Sequence, residues 1–328
     1  MRYRRFGRLG WSVSEVGYGL WGVGGWTGSD DEESLAAIER ALTLGCNFFD
    51  TAWVYGVGKS EKLLGEALRA WKTSREARPV VVATKIPPKN MRWPARDDDA
   101  LADVFPADHI REYTDKSLRN LGVDVIDLQQ FHVWSDTWAP DAEWQRAVRA
   151  LKESGVVRAF GISVNRWEPA NVLRALDTGL IDSVQVVYNI FDQAPEDALF
   201  PYCQAHDIAI IARVPFDEGS LTGALTRDSR WPEGDWRNIY FAPDKIGPIL
   251  DRVERLLPLV PDGMDLPEVA LRFILEHPAV STTIPGMRRP RHVERNLATS
   301  DSVARAPLPP RLYEALRTHR WDRTTVIA

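Results

Sequence analysis

Four residues of the chain, Asp50, Tyr55, Lys85 and His132, are of the types that interconversion of a carbonyl and an alcohol needs. Delivery of hydride to a carbonyl carbon leaves an alkoxide that must be protonated. A tyrosine can be the acid, although its ordinary pKa of about 10 is high for work near neutrality. A neighbouring ammonium favours the phenolate and lowers that value. An aspartate beside the lysine would hold it in place and charged. A histidine donating to the carbonyl oxygen would orient the substrate and stabilise developing charge. Each residue also has a bland reading: Asp50 can cap a turn through Thr51, a lone lysine after a strand is commonly solvated, and a lone histidine is commonly structural. Their joint placement has to decide.

That placement follows from the rhythm of the chain. Tyr3–Gly7 and Trp11–Ser14 predict two short strands around Arg8-Leu9-Gly10, an N-terminal hairpin within residues 1–15. From residue 16 onward, short apolar runs alternate with helical periodicity. The runs are Val16–Gly19, Asn47–Phe49, Val80–Ala83, Val125–Leu128, Ala159–Ile162, Ser183–Val187, Ala209–Ala212 and Val280–Ile284. Between them lie helical patterns such as Asp31–Leu44, Ser60–Ala70, Asp108–Leu121, Asp141–Ser154, Pro169–Thr178 and Glu196–His206. Eight strand-then-helix units predict an α/β fold, a (β/α)8 TIM barrel plugged by the hairpin and closed by a C-terminal helix near Pro309–His319. An open doubly wound sheet is the alternative. No GxGxxG follows the first strand, which counts against it. The expected organisation is one barrel domain over residues 1–328, with a long aperiodic insertion at 216–243 that reads as a mouth loop.

Active sites of such barrels sit at the C-terminal strand ends. There the sequence places Asp50, Thr84-Lys85, Gln129-Gln130-Phe131-His132, Ser163-Val164-Asn165, Gln185 with Tyr188-Asn189, and Arg213. Tyr55 follows Asp50 in a loop facing the same mouth.

Composition narrows the function classes. The 41 Lys and Arg against 46 Asp and Glu give a formal net charge of -5, which supports neither a nucleic-acid nor an anionic-membrane surface. Two widely separated cysteines, Cys46 and Cys203, predict no disulfide framework or metal site, and a cytoplasmic setting. The basic start lacks an apolar continuation, so no signal peptide is expected, and no run of about 20 apolar residues predicts a membrane span. The partners expected are a small carbonyl or sugar molecule and, for the chain itself, a monomer or homo-oligomer.

The run Leu44-Gly45-Cys46-Asn47-Phe48-Phe49-Asp50-Thr51-Ala52-Trp53-Val54-Tyr55-Gly56, with Ser60-Glu61 and Leu64-Gly65, resembles the aldo-keto reductase superfamily. The resemblance continues through Ala83-Thr84-Lys85, Ser117–Asp124, His132, Gly161–Asn165, Gln185–Asn189, Leu221-Thr222-Gly223 and Ile284-Pro285-Gly286. It implies NADP(H) extended across the barrel top, Tyr55 as proton donor, Lys85 and Asp50 as its tuning pair, and His132 as the carbonyl-orienting group. By the same carry-over Ser163, Asn165 and Gln185 hold the nicotinamide amide, and Tyr188 stacks on its ring. The segment from Arg213 through Pro215, Gly219 and Leu221 to Gly223 passes over the pyrophosphate, and Trp21 and Gly286 join the cofactor contacts. Two acids, Asp217 and Glu218, interrupt that segment here.

A basic cluster, Arg288, Arg289, Arg291 and His292, suits the 2′-phosphate of NADPH, with Arg288 the foremost contact and Asn296 reaching adenine. The family's acidic residue before Asn296 is replaced by Arg295. Trp53 and Trp134 are expected to wall a substrate pocket for a sugar-like or aromatic carbonyl, with Trp21 and Trp26 nearby, while Trp138, Trp144 and Trp167 read as packing. The leading expectation is NADPH-dependent reduction of an aldehyde or ketone. The rivals are a nicotinamide-binding regulatory subunit of an ion channel and a redox-neutral sugar enzyme that retains its cofactor.

Overall fold

A computed structural model describes residues 1–26 and 28–321; residues 322–328 of the expected unit lie outside the described residues. Strands β1 (Tyr3–Phe6) and β2 (Trp11–Ser14) pair antiparallel, with Phe6 opposite Trp11. Eight parallel strands follow, paired in chain order: β3 (Tyr18–Gly19), β4 (Phe48–Asp50), β5 (Val81–Ile86), β6 (Ile126–Phe131), β7 (Val157–Ser163), β8 (Ser183–Val187), β9 (Ala209–Arg213) and β10 (Val280–Thr283). Parallel bridges Val16–Thr283 and Gly19–Gly286 join the first and last strands, so the sheet closes into the barrel.

Twelve helices run between and beyond the strands: α1 (Asp31–Thr43), α2 (Lys59–Lys72), α3 (Leu101–Val104), α4 (Ala107–Leu121), α5 (Ala142–Glu153), α6 (Leu173–Asp177), α7 (Leu199–Ala205), α8 (Arg237–Tyr240), α9 (Pro243–Leu256), α10 (Leu266–Glu276), α11 (Pro290–Arg305) and α12 (Pro310–Arg317). Local chemistry sets their ends. Asp30 accepts from Glu33 N at the start of α1, and Asp265 from Glu268 N at the start of α10. Gly122 closes α4 in the left-handed region.

Two expected helices are shorter than their periodicity. In place of Pro169–Thr178 the helix begins at Leu173, because Asp136 reaches across from the preceding loop and accepts from Arg174 N and Ala175 N. In place of Glu196–His206 a 3-10 turn at Ala194–Glu196 precedes α7.

Strand side chains alternate between two cores. Inward, Phe48, Ala83, Leu128, Ala159, Ala209 and Ile211 pack with Phe6 and Val13 of the hairpin. The hairpin therefore seals the barrel floor. Outward, Phe49, Val82, Ile86, Phe160, Ile162, Val184, Val186 and Ile210 meet the helices. Among the described residues no helix is long and apolar enough to cross a membrane, and no His/Cys/Asp/Glu group is arranged to hold a metal ion.

Candidate active site

The same alternation that builds the inner core delivers the polar residues. Two positions beyond Phe48 comes Asp50; two beyond Ala83, Lys85; two beyond Leu128, Gln130; two beyond Ile211, Arg213. The barrel interior thus changes from apolar to ionisable one step nearer the mouth.

Lys85 Nζ donates to Asp50 Oδ1 at 2.5 Å and to the Thr51 carbonyl at 2.8 Å, and lies 3.4 Å from the Tyr55 hydroxyl. The second Asp50 oxygen accepts from Gln185 Nε2 at 2.7 Å and from Gln130 Nε2 at 3.3 Å. Burial pulls the Lys85 pKa down, but the Asp50 carboxylate and Tyr55 outweigh it and the net direction is up. The ammonium therefore stays charged. For Tyr55, burial pushes the phenol up by more than Lys85 pulls it down, and Asp50 adds to the rise. Lys85 does pull the phenol down as expected, but burial outweighs it and the net direction is up, so the phenol stays protonated. His132 is driven well below its ordinary value by burial first, then by Lys85 and Arg213. It is a neutral imidazole whose ring stands edge-on to Tyr55, 5.8 Å between centroids.

The start of α2 holds this set in place. Ser60 Oγ shares a hydrogen bond with Thr51 Oγ1 at 2.8 Å and donates to the Leu20 carbonyl. Glu61, fully buried, accepts from Thr84 at 2.6 Å and from Asn120 at 2.8 Å. One helix end therefore pins the residues flanking both Asp50 and Lys85. Gly65 lets α2 lie on α4, since a Cβ there would meet the Leu121 carbonyl oxygen at 2.4 Å. Gly56 has φ +67° and a Cβ there would sit 2.1 Å from the Gly24 oxygen, so the Tyr55 loop and the loop after β3 touch backbone to backbone.

Above Tyr55 lies a cavity of about 370 Å³ lined by Trp21, Trp26, Val54, Tyr55 and residues 233–235 of the segment after β9. Trp236 of that segment packs on Trp21 at 5.2 Å and on Trp26 at 6.4 Å. Opposite, Trp93 stands edge-on to His132 at 5.8 Å. The sequence places Trp93 in a second mouth loop, Pro87–Phe105, without a role, and does not single out Trp236; both lie in aperiodic segments whose course no local pattern specifies.

The other side of the mouth is tied by a buried ion cluster. Arg166 binds both oxygens of Asp192 at 2.8 and 2.6 Å, Asp217 Oδ1 at 2.7 Å and the Tyr240 hydroxyl at 2.7 Å. Tyr240 and Ser220 also donate to Asp217. Asp217 is thus taken up by its own loop. Glu218, in the left-handed region at φ 57°, has its carboxyl pushed up to about 7, by burial first, with Arg166 pulling down, Asp217 raising and Arg213 pulling down.

Several expected contacts fall elsewhere. Tyr188 has the parity of Val184 and Val186, so it points out of the barrel; its ring packs on Phe200 and Phe273 and its hydroxyl donates to Glu196. Stacking on a cofactor in the mouth is excluded for it by that direction. Arg213 has the inward parity of Ile211 instead. It donates to the Val164 carbonyl, and its Nε is buried with no hydrogen-bond partner among the described residues. Trp134 is also no pocket wall: it is buried among Phe131, Trp138 and Trp144 behind His132, donating to Asp136. Trp53 leans edge-on against Tyr113 of α4 under Lys116, away from the cavity. Asn165 accepts from Trp167 N as a turn cap, beside buried Ser163.

Pro215 and Leu221 are buried in the turn after β9, whereas Gly219 and Gly223 supply its left-handed positions. Gly286, on the far rim, is exposed. Beyond it Arg288 has its pKa lowered by burial first, then by Arg289 and Arg237, and His292 by burial, then by Arg291, Arg289, Arg288 and Arg295. The arginines here crowd one another, although Arg289 pairs with Glu33, and such crowding favours an anion. Arg295 itself pairs with Asp265, and Asn296 is buried.

Comparisons agree with this geometry. The sequence profile of the aldo/keto reductase family matches residues 15–306. The NADH-specific methylglyoxal reductase of Escherichia coli is 32% identical over 324 residues, covering 93% of this chain and 96% of its own. Among solved structures, the holo form of an aldo-keto reductase from Bacillus halodurans superposes with a TM-score of 0.75 at 27% identity over 99% of this chain and 98% of its own. The glycerol dehydrogenase of Gluconobacter oxydans gives a TM-score of 0.72 at 29% identity, over 94% and 97%. Barrel, buried lysine–aspartate pair and sequence profile point the same way: the chain belongs to the aldo/keto reductase family, a family of oxidoreductases.

Proposed function

We propose that the protein reduces an aldehyde or ketone to the alcohol with NADPH, Tyr55 delivering the proton. The observation that carries this reading is the buried Lys85 ammonium held between Asp50 and the Tyr55 hydroxyl. A bound reduced nicotinamide supplies the hydride. The residues suit such a cofactor: Arg213 offers an unpartnered buried N–H, and the crowded arginines around Arg288 favour a phosphate. We assign Ser163, Asn165 and the amide oxygen of Gln185 to the carboxamide.

The residues' own chemistry is then straightforward. The neutral His132 keeps one N–H donor for the carbonyl oxygen, fixing it beside Tyr55. As negative charge grows on that oxygen, the Tyr55 proton moves to it, and the Lys85 ammonium stabilises the phenolate left behind. Asp50, with Gln130 and Gln185 on its other oxygen, keeps the ammonium charged and aimed. Aromatic surface at Trp21, Trp26 and Trp93 excludes water from this step.

Mixing the protein with NADPH and a panel of aldehydes and sugars, and following loss of reduced cofactor by absorbance, tests the reading. Consumption is expected with at least one carbonyl. Tight cofactor binding with no consumption across the panel would overturn it. The choice of cofactor is tested separately. Arg288→Ala is expected to weaken NADPH about 10- to 100-fold, the scale of one charged hydrogen bond, and NADH by less than about twofold, as read by tryptophan fluorescence titration. Equal weakening of both would remove Arg288 from the 2′-phosphate.

A further inference from the structure

Among the described residues seven large hydrophobic side chains are exposed, and five of them, Trp21, Val57, Met91, Trp93 and Ile239 of α8, lie on the segments that follow β3, β4, β5 and β9. Only Tyr3 and Leu257 lie elsewhere. Exposed apolar surface is thus concentrated around one opening, the pattern that marks contact with an apolar ligand.

Two of the five are costly in a second way. Val57 and Met91 have φ of 53° and 52°, in the left-handed region that side-chain-bearing residues avoid. A β-branched residue there is an outlier, and such conformations collect at ligand contacts because the surrounding fold enforces them. In both, the enforced backbone presents an apolar side chain to water: Val57 is 69% exposed and Met91 53%. Neither cost serves packing. Two of these segments also adjoin the candidate site. Val57 follows Gly56, which lines the cavity over Tyr55, and Trp93, two residues after Met91, stands against His132.

We propose, building on the reductase reading, that the substrate is an aldehyde or ketone carrying an extended apolar chain. Its carbonyl lies at Tyr55 and His132, and its chain leaves the cavity between Trp93 and the Tyr55 loop and covers Met91 and Val57. Hydride and proton are added to the carbonyl, the alcohol leaves, and NADPH is oxidised to NADP+; the chain itself takes no part in the chemistry. Small polar carbonyls fill the cavity but leave the rim in water.

Unbranched aldehydes from propanal to decanal, with NADPH, provide the test. The ratio kcat/KM is expected to rise about two- to threefold per added methylene once the chain reaches the rim. Val57→Asn and Met91→Asn remove the apolar side chain while placing there a residue that tolerates left-handed backbone, so they keep the fold intact. Each is expected to flatten the slope for the longer aldehydes, and the pair to flatten it further. Binding of unreactive alkanamides of the same lengths, followed by tryptophan fluorescence, gives a readout independent of turnover. A slope in binding that the variants abolish, with no turnover of any aldehyde, would support the rim and sink the reductase reading. A flat series in both readouts, or a slope that the variants leave untouched, would overturn the rim proposal and turn attention to a protein partner for this patch.

Discussion

Tyr55→Phe is expected to lower kcat for carbonyl reduction by about 10²- to 10⁴-fold, the range of a lost general acid, while NADPH affinity stays within about twofold. The phenylalanine keeps the ring that stands against His132 and removes only the hydroxyl. Lys85→Met should fall comparably in kcat, because Asp50 would then be buried beside Tyr55 with no cation. The pH profile of the wild-type protein sharpens the test. Burial raises Tyr55, and Asp50 with Tyr55 raises Lys85, so both keep their protons until the pH passes their ordinary values near 10. Burial, Lys85 and Arg213 hold His132 well below its ordinary value, so it is neutral on the acid side of neutrality. Reduction should therefore be level from about pH 6.5 to about pH 10 and fall only above that. A limb centred near pH 6.5 that persists in Glu218→Gln would show that His132 titrates normally, contrary to its burial. Full activity in Tyr55→Phe would remove the proton donor from the mechanism.

The largest expected effect on stability comes from Arg166→Met. One guanidinium, itself nearly buried, satisfies Asp192, Asp217 and the Tyr240 hydroxyl. Removing it leaves two carboxylates buried without their cation, a loss of about 3–5 kcal/mol. For a chain of 328 residues that corresponds to a fall in Tm of roughly 4–7 °C in a thermal melt. Cofactor affinity should drop as well, since the segment carrying Trp236 and Tyr240 is anchored there. Adding Asp217→Asn to the variant should recover part of the loss by removing one uncompensated charge. An unchanged melting temperature would mean that water already screens the cluster.

Much of this architecture is written in the spacing of the chain. Eight apolar runs with polar ends specify the barrel, because each strand must bury both faces and each mouth residue must follow one. Asp50, Lys85 and His132 were legible for that reason. Tyr188 shows how the same signal corrects an error, and Arg213 how it upholds a placement. Side chains alternate along a strand, so once Gln185 faces inward, Tyr188 must face the helices, and Arg213, two after Ile211, must face the mouth. Trp134 was misplaced because it follows the end of β6, where alternation stops and the loop decides direction. Trp93, Trp236 and Arg166 act through loops brought together only by the closed barrel. Arg166 meets Tyr240 across 74 residues of sequence and Trp236 meets Trp21 across many more, and local pattern carries no information about such meetings.

Phe6 and Val13, at the barrel floor, have a kinetic consequence. With the far end sealed by the hairpin, the reaction centre is a well with a single opening. If a cofactor and a carbonyl meet at its bottom as proposed, both enter by that mouth. Whichever lies deeper has to arrive first and depart last. On the proposed two-substrate reading, a compulsory order of addition and release is therefore expected, with product-inhibition kinetics as its check.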